Sequence, residues 1–319
     1  MRLAAGTLTE STVHDYTHSM ALWAPLRRVR LEQLTAADVD RRLEQLRTTP
    51  TSRGPGYSAS KRRGALVAFR QAFKAGRRAG LVPPGRSAPE NAITPSVRRP
   101  TPPLVTPEIA AAVLAELVDD RDLRAVLVTL SLGLRISETL GLTWDCIDLD
   151  TATIRIHQQL RRTRDRRGTL APTKTKNNET LALPRLAVDA LREQRRVQAE
   201  QRLAAGPYWS DPVPDLVFRR ADGNPLWASN ITTKVGNACD AVTTTDPALP
   251  LKVPRMGIHA FARHGHATLL ILQGGPLDDV RDNLRHAQVS TSLIYAHVLP
   301  QVRRRTADMM DRVLDGLGW

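Results

Sequence analysis

Aromatic side chains are scarce in this 319-residue chain: Phe, Trp and Tyr together make up 4% of it. A core of interlocked rings is thereby excluded, and the 41% hydrophobic content must pack as aliphatic residues, as mostly helical cores do. Sulfur is scarce too. Cys146 and Cys239 have no partners at a metal-binding spacing and form no disulfide framework, so both read as packing residues of a chain kept in a reducing compartment. No apolar run approaches the length of a membrane span, and Met1 to Glu10 lacks the apolar core of a signal peptide, so a cytoplasmic location without membrane attachment is expected. Acidic residues are also in short supply, 32 against 46 Lys and Arg, leaving a formal charge of +14. That excess points to a polyanionic partner, nucleic acid first, although an unspecialised basic protein has the same composition and only motifs can separate the two.

The pattern along the chain gives a mostly α fold with a small antiparallel β-sheet, an α+β class in two domains. Thr35 and Asp38 have the spacing of a helix cap, and Val39, Leu43 and Leu46 then recur at helical intervals. A second helix starts near Ser58 or Ser60 and reaches Gly80, with Leu66, Phe69 and Phe73 on one stripe and Lys74, Arg77 and Arg78 mostly off it. Those cations are either a solvated face or a face for DNA. Pro83, Pro84, Pro95, Pro100, Pro102 and Pro103, between Val82 and Thr106, read as an extended linker. The boundaries expected are 1–99 for a helical domain, 100–106 for the linker and 107–319 for a second domain with a C-terminal tail. Thr106-Pro107-Glu108 opens a helix, and a further apolar helix ends near Arg135. Alternation of Ile154 and Ile156 with polar neighbours, and of Leu181 and Leu183, predicts the sheet. Between them, five arginines in seven positions, Arg161 to Arg167, predict an exposed or phosphate-facing hairpin tip. After Met256 helix returns, broken at Gly274-Gly275-Pro276.

Four short stretches carry chemistry. SLGLRISETLGLTWDCIDLD, from Ser131, contains Arg135 and Glu138; PTKTKNNETLALP, from Pro172, contains Lys174 and Lys176. GIHAFARHGHATLLILQGG, from Gly257, contains His259, Arg263, His264 and His266, and LRHAQVSTSLIYAHVLP, from Leu284, contains His286 and Tyr295 nine residues apart. A guanidinium suits phosphate because its planar fork binds two nonbridging oxygens and keeps its proton at neutral pH. Each residue alone has a plain structural explanation: an Arg135–Glu138 ion pair, a lysine on a DNA backbone, a tyrosine with a bonded hydroxyl. His259, His264 and His266 match no common zinc spacing.

In that order, the four stretches resemble the tyrosine recombinases, or phage integrases, over the chain from about Thr9 to its end. The resemblance implies Arg135 and Arg263 as a phosphate clamp, with Glu138 as supporting acid, Lys174 or alternatively Lys176 as general acid, His259 and His286 as phosphate-orienting or proton-handling groups, and Tyr295 as nucleophile. It implies cleavage through a 3′-phosphotyrosine with release of a 5′ hydroxyl, then rejoining without ATP, metal or any cofactor. Implied partners are double-stranded DNA attachment sites, three further copies of the chain in a homotetramer on DNA, and directionality or DNA-bending factors, in integration or excision of phage or mobile-element DNA. The stripe of Val302, Met309, Met310, Val313, Leu314 and Leu317 either docks on a neighbour or folds back. Almost nothing precedes the first helix, so an arm-site domain is either lacking or truncated.

The chain departs from the family twice. His259 lies four residues before Arg263 instead of three, and Arg285 replaces a glycine, either altering a turn or adding a phosphate contact. Two alternatives stay open: a catalytically impaired DNA-binding protein of the same fold, to which the shifted histidine points, or a DNA nicking and relaxing enzyme like the type IB topoisomerases, which uses similar residues without pairing two sites.

Overall fold

The computed structural model describes residues 10–52, 54–97, 101–163, 167–173, 178–245 and 253–285. The chain divides into two compact units, Met1–Pro100 and Thr101–Trp319.

In the first unit, helices α1 (Glu10–Ala21), α2 (Ala36–Thr48) and α3 (Ala59–Arg78) are followed by the short α4 (Ala88–Asn91). A reciprocal cap starts α2: the Thr35 hydroxyl accepts the Asp38 N–H, and the Asp38 carboxylate accepts the Thr35 N–H at 3.1 Å. Val39, Leu43 and Leu46 then face the core, as their spacing predicts. Ser58 caps α3, which buries Leu66 and Phe73 beside half-buried Phe69. Trp23 is fixed against α3 by stacking on Phe69 and by donating its indole N–H to the Ala65 carbonyl at 3.0 Å. Of the three cations on the outer side of α3, Arg77 is held by Glu90 at 2.7 Å.

The proline-rich stretch after α3 differs from the extended linker expected over Val82–Thr106. Val82, Ala88 and Ala92 belong to the core of the first unit. Arg70 holds this stretch in place by donating to the carbonyls of Pro89 at 2.8 Å and Ala92 at 2.9 Å. Proline counts report a stiff backbone; they do not report whether an arginine elsewhere in the chain binds it down.

The second unit opens with α5 (Pro107–Ala115), capped by Thr106, then α6 (Leu123–Leu132) and the single turn α7 (Ile136–Thr139). Strands β1 (Ile147–Asp148), β2 (Thr153–Ile156), β3 (Gln158–Arg161), β4 (Thr169–Pro172) and β5 (Glu179–Ala182) come next. They make two small antiparallel sheets in place of one: β2 lies between β1 and β5, while β3 and β4 pair as a hairpin. The arginine-rich connection joins β3 to β4, and its centre, 164–166, lies outside the described residues. At its foot the Arg162 guanidinium sits over the Trp227 ring.

After the strands come α8 (Arg185–Ala205) and α9 (Ala228–Thr245), then a π-helical segment (His259–His264) running into α10 (Gly265–Leu272), and finally α11 (Leu277–Asn283). The main core gathers Val128, Leu134, Leu142, Ile154, Ile156, Leu191, Phe218, Val235 and Phe261. Each such side chain contributes about 1.5–3 kcal/mol by leaving water. Leu284, Val280, Ala267 and Ile271 form a smaller cluster that ties α11 to α10. Both cysteines are buried and neither is in a disulfide. Among the described residues no helix is long and apolar enough to cross a membrane.

Candidate active site

The expected apolar helix stops three residues short of Arg135, at Leu132, and Gly133 shapes the turn beyond it. The Gly133 backbone is left-handed (φ 60°, ψ 24°), and a Cβ there would lie 2.6 Å from His266 Cδ2 and 2.9 Å from Leu284 Cδ2. Glycine alone satisfies both the dihedral and the close approach. The turn delivers Arg135 to the position just before α7, where it meets Glu138 one helical turn on. Glu138 accepts the Arg135 backbone N–H at 3.0 Å and an Nη1 hydrogen at 2.7 Å. Its carboxylate is 1% exposed, so it serves as an internal counter-charge that fixes both the backbone and the fork of Arg135.

Arg263 arrives from the π-helical segment. It is 2% exposed, donating from Nη1 to the Gly133 carbonyl at 2.6 Å and from Nη2 to the Leu284 carbonyl. One guanidinium thus staples the end of α6 to the end of α11, beside the turn that carries Arg135.

The wide turn also answers the shifted histidine. The Gly265 N–H reaches back five residues to the Ala260 carbonyl, so more residues are wound into this turn than into an α-turn. Four residues of π-helix then cover nearly one revolution, and His259 and Arg263 share a face despite the extra residue. Burial, followed by the positive charges of Arg263 and Arg135, pushes the His259 imidazole below its ordinary value, leaving it neutral at pH 7 and within electrostatic reach of both arginines. The His264 ring meets it edge to face with centroids 4.7 Å apart. His266 is likewise pushed down, chiefly by burial, and its Nδ1–H donates to the Leu130 carbonyl at 2.9 Å.

A third arginine completes the cluster. Arg285 comes just after α11 in a left-handed conformation (φ 52°), its side chain 2% exposed and paired with the second oxygen of Glu138. Its Nε lies 4.0 Å from the half-exposed Glu179. The sequence marks Arg285 only as an arginine in place of a glycine; its pairing with a carboxylate 147 residues away is a tertiary fact. Arg135, Arg263, His259 and Arg285 therefore converge. Lys174, Lys176, His286 and Tyr295 lie outside the described residues.

Chemically, two guanidiniums on one buried carboxylate, with Arg263 held by the neighbouring Gly133 and Leu284 carbonyls, leave an excess of positive charge in a partly desolvated place. Uncompensated charge there is costly, and an anion with several oxygens relieves it.

The chain resembles known proteins in both sequence and fold. It is 31% identical over 196 residues to a XerC-like tyrosine recombinase of Caldanaerobacter subterraneus subsp. tengcongensis, covering 58% of this chain and 48% of that one. It is 29% identical over 201 residues to an integrase of Streptomyces ambofaciens, covering 59% and 47%. The chain thus spans about half the length of the curated relatives it matches. Among solved structures, the Tn1549 transposon integrase in complex with transposon right-end DNA superposes with a TM-score of 0.73 at 18% identity, covering 96% of both chains. A lambda integrase dimer bound to a COC′ core site gives 0.65 at 13% identity, covering 92% and 90%. These two likenesses concern the fold. A family model described as the phage integrase family matches residues 106–301, more than half of the sequence and all of the cluster of arginines. The chain belongs to the phage integrase family.

Proposed function

We propose that this chain is a tyrosine-type site-specific recombinase, a DNA strand transferase acting in the cytoplasm on double-stranded attachment sites of phage or mobile-element DNA. The observation that carries this reading is the convergence of Arg135, Arg263 and neutral His259 on one positively charged, partly buried spot. Phosphodiester cleavage needs a nucleophile, neutralisation of the charge growing on the phosphoryl oxygens, and a proton for the departing oxygen. In this reading the Tyr295 hydroxyl attacks phosphorus, giving a 3′-phosphotyrosine and a 5′ hydroxyl. Arg135 and Arg263 neutralise the phosphoryl oxygens, and His259 and His286 orient them or handle the tyrosine proton. Lys174 protonates the leaving 5′ oxygen, with Lys176 as the other candidate. The covalent ester conserves the bond, so a 5′ hydroxyl from a second duplex completes exchange without ATP. Two sites held by four copies of the chain, with directionality or bending factors, suit such an exchange. The net charge of +14 favours the duplex through its phosphates.

The test uses a pool of nicked duplexes with randomised cores, whose short cleaved fragment diffuses away and traps the adduct. Wild type is expected to enrich duplexes that remain attached to protein through SDS denaturation, and Tyr295→Phe to enrich none. Retention on native gels with no SDS-resistant species from wild type would refute the catalytic reading and leave a DNA-binding protein. SDS-resistant species from Tyr295→Phe would refute the choice of nucleophile.

A further inference from the structure

The third arginine does something a turn residue need not do. Its φ of 52° is a conformation in which any non-glycine side chain is strained, and its guanidinium is buried to 2% exposure. Within that burial, Nη1 has no hydrogen-bond partner among the described residues, although Nη2 binds Glu138. A buried guanidinium N–H without an acceptor is costly, as is positive φ, and here one residue carries both. Structural need accounts for neither. Glu138 already has Arg135 as its ion-pair partner, and glycine would make the same turn without strain.

The charge balance points the same way. Arg135, Arg263 and Arg285 bring three positive charges to the cluster, against Glu138 and the half-exposed Glu179. Burial depresses the basicity of Arg285; Glu138 and Glu179 counter this, and Arg135 adds to it, so the two arginines feel each other. An anion placed between them removes their repulsion and supplies the missing acceptor for Nη1.

Resting on the recombinase reading above, we infer that Arg285 is a third phosphate-binding arginine of the active site, whose Nη1 donates to a nonbridging oxygen of the cleaved phosphodiester while Glu138 holds it in register with Arg135. The missing acceptor of Arg285 Nη1 is then supplied by DNA, and phosphate binding and transition-state stabilisation share three forks.

The test compares wild type, Arg285→Gly and Arg285→Lys on a nicked duplex taken from the enriched pool, carrying at the cleaved position either the natural phosphodiester or a neutral methylphosphonate. On the phosphodiester, Arg285→Gly is expected to form the covalent adduct about a hundredfold more slowly, the loss typical of removing one donor to a developing oxyanion. Arg285→Lys, which keeps the charge without the fork, is expected to fall between. On the methylphosphonate, where the charge on the nonbridging position is gone, the three proteins are expected to react at the same rate. An equal loss on both substrates, or no loss on the phosphodiester, overturns the inference, the first making Arg285 a scaffold residue. Thermal melting guards the comparison: glycine removes the strain and the unpaired N–H but also the buried pair with Glu138, so the rates are compared at a temperature at which all three proteins are folded. If Arg285→Gly fails to fold, the substrate dependence of Arg285→Lys decides in the same way. Absence of any wild-type adduct overturns the underlying recombinase reading instead, so the two failures are told apart.

Discussion

Removing the carboxylate of Glu138 tests the centre of the cluster. Glu138 is 1% exposed and accepts the Arg135 backbone N–H, the Arg135 Nη1 and the Arg285 Nη2. Truncation to alanine leaves two guanidiniums facing each other in a desolvated place with Arg263 nearby. Breaking a buried ion pair from one side costs about 3–5 kcal/mol. For a domain of 150–250 residues each kcal/mol moves the melting temperature by about 2–4 °C, so Glu138→Ala should melt roughly 6–20 °C below wild type. Glu138→Gln keeps the shape and one carbonyl oxygen but loses the charge, and should lie between the two, because hydrogen bonds to a charged group are worth about twice those between neutral groups. Circular dichroism melts of the full chain at low salt measure this. Both variants melting within about 2 °C of wild type, less than one kcal/mol on that scale, would refute the idea that this carboxylate holds the arginines together.

Two further outcomes rest on the same geometry. Gly133→Ala places a Cβ on His266 and Leu284 and forces alanine into a left-handed turn, so the urea midpoint should drop by the equivalent of about 1–3 kcal/mol from the backbone alone, and an unchanged midpoint would count against the turn. His259 and His266 both have folded-state values below the ordinary 6.5, so below that pH the unfolded chain takes up protons that the folded chain does not. Stability is therefore complete above pH 6.5 and falls as the pH drops through it. Melts from about pH 7.5 to about 5.5 should show this loss, with a shallower slope in His259→Gln; a slope unaltered by that substitution would place the imidazole in water.

What was legible in the sequence was local or periodic. The Thr35–Asp38 cap, the stripe through Leu66 and Phe73 and the alternation of Ile154 and Ile156 each need only neighbours within a few positions, and each is seen in the fold. Arg135 and Glu138 were legible for the same reason, lying one helical turn apart. The packed proline-rich stretch was not, because its fate rests on Arg70, 19 residues before Pro89 and 22 before Ala92. Nor was the pairing of Arg285 with Glu138, which no local pattern encodes. The division of the strands into two sheets likewise depends on which strands meet, and alternation gives only that strands exist.

The π-helical segment carries a last consequence, for how length changes are absorbed between His259 and Arg263. One residue inserted into a uniform α-helix rotates everything beyond it by about 100°, which would turn Ala267 and Ile271 away from α11. Both remain buried against Val280 and Leu284, so the added residue is confined to the single wide turn before them. That turn is a spacer with slack. A search that demands a fixed count between histidine and arginine would discard this chain, although the separation of the two side chains is set across the turn and not along the sequence.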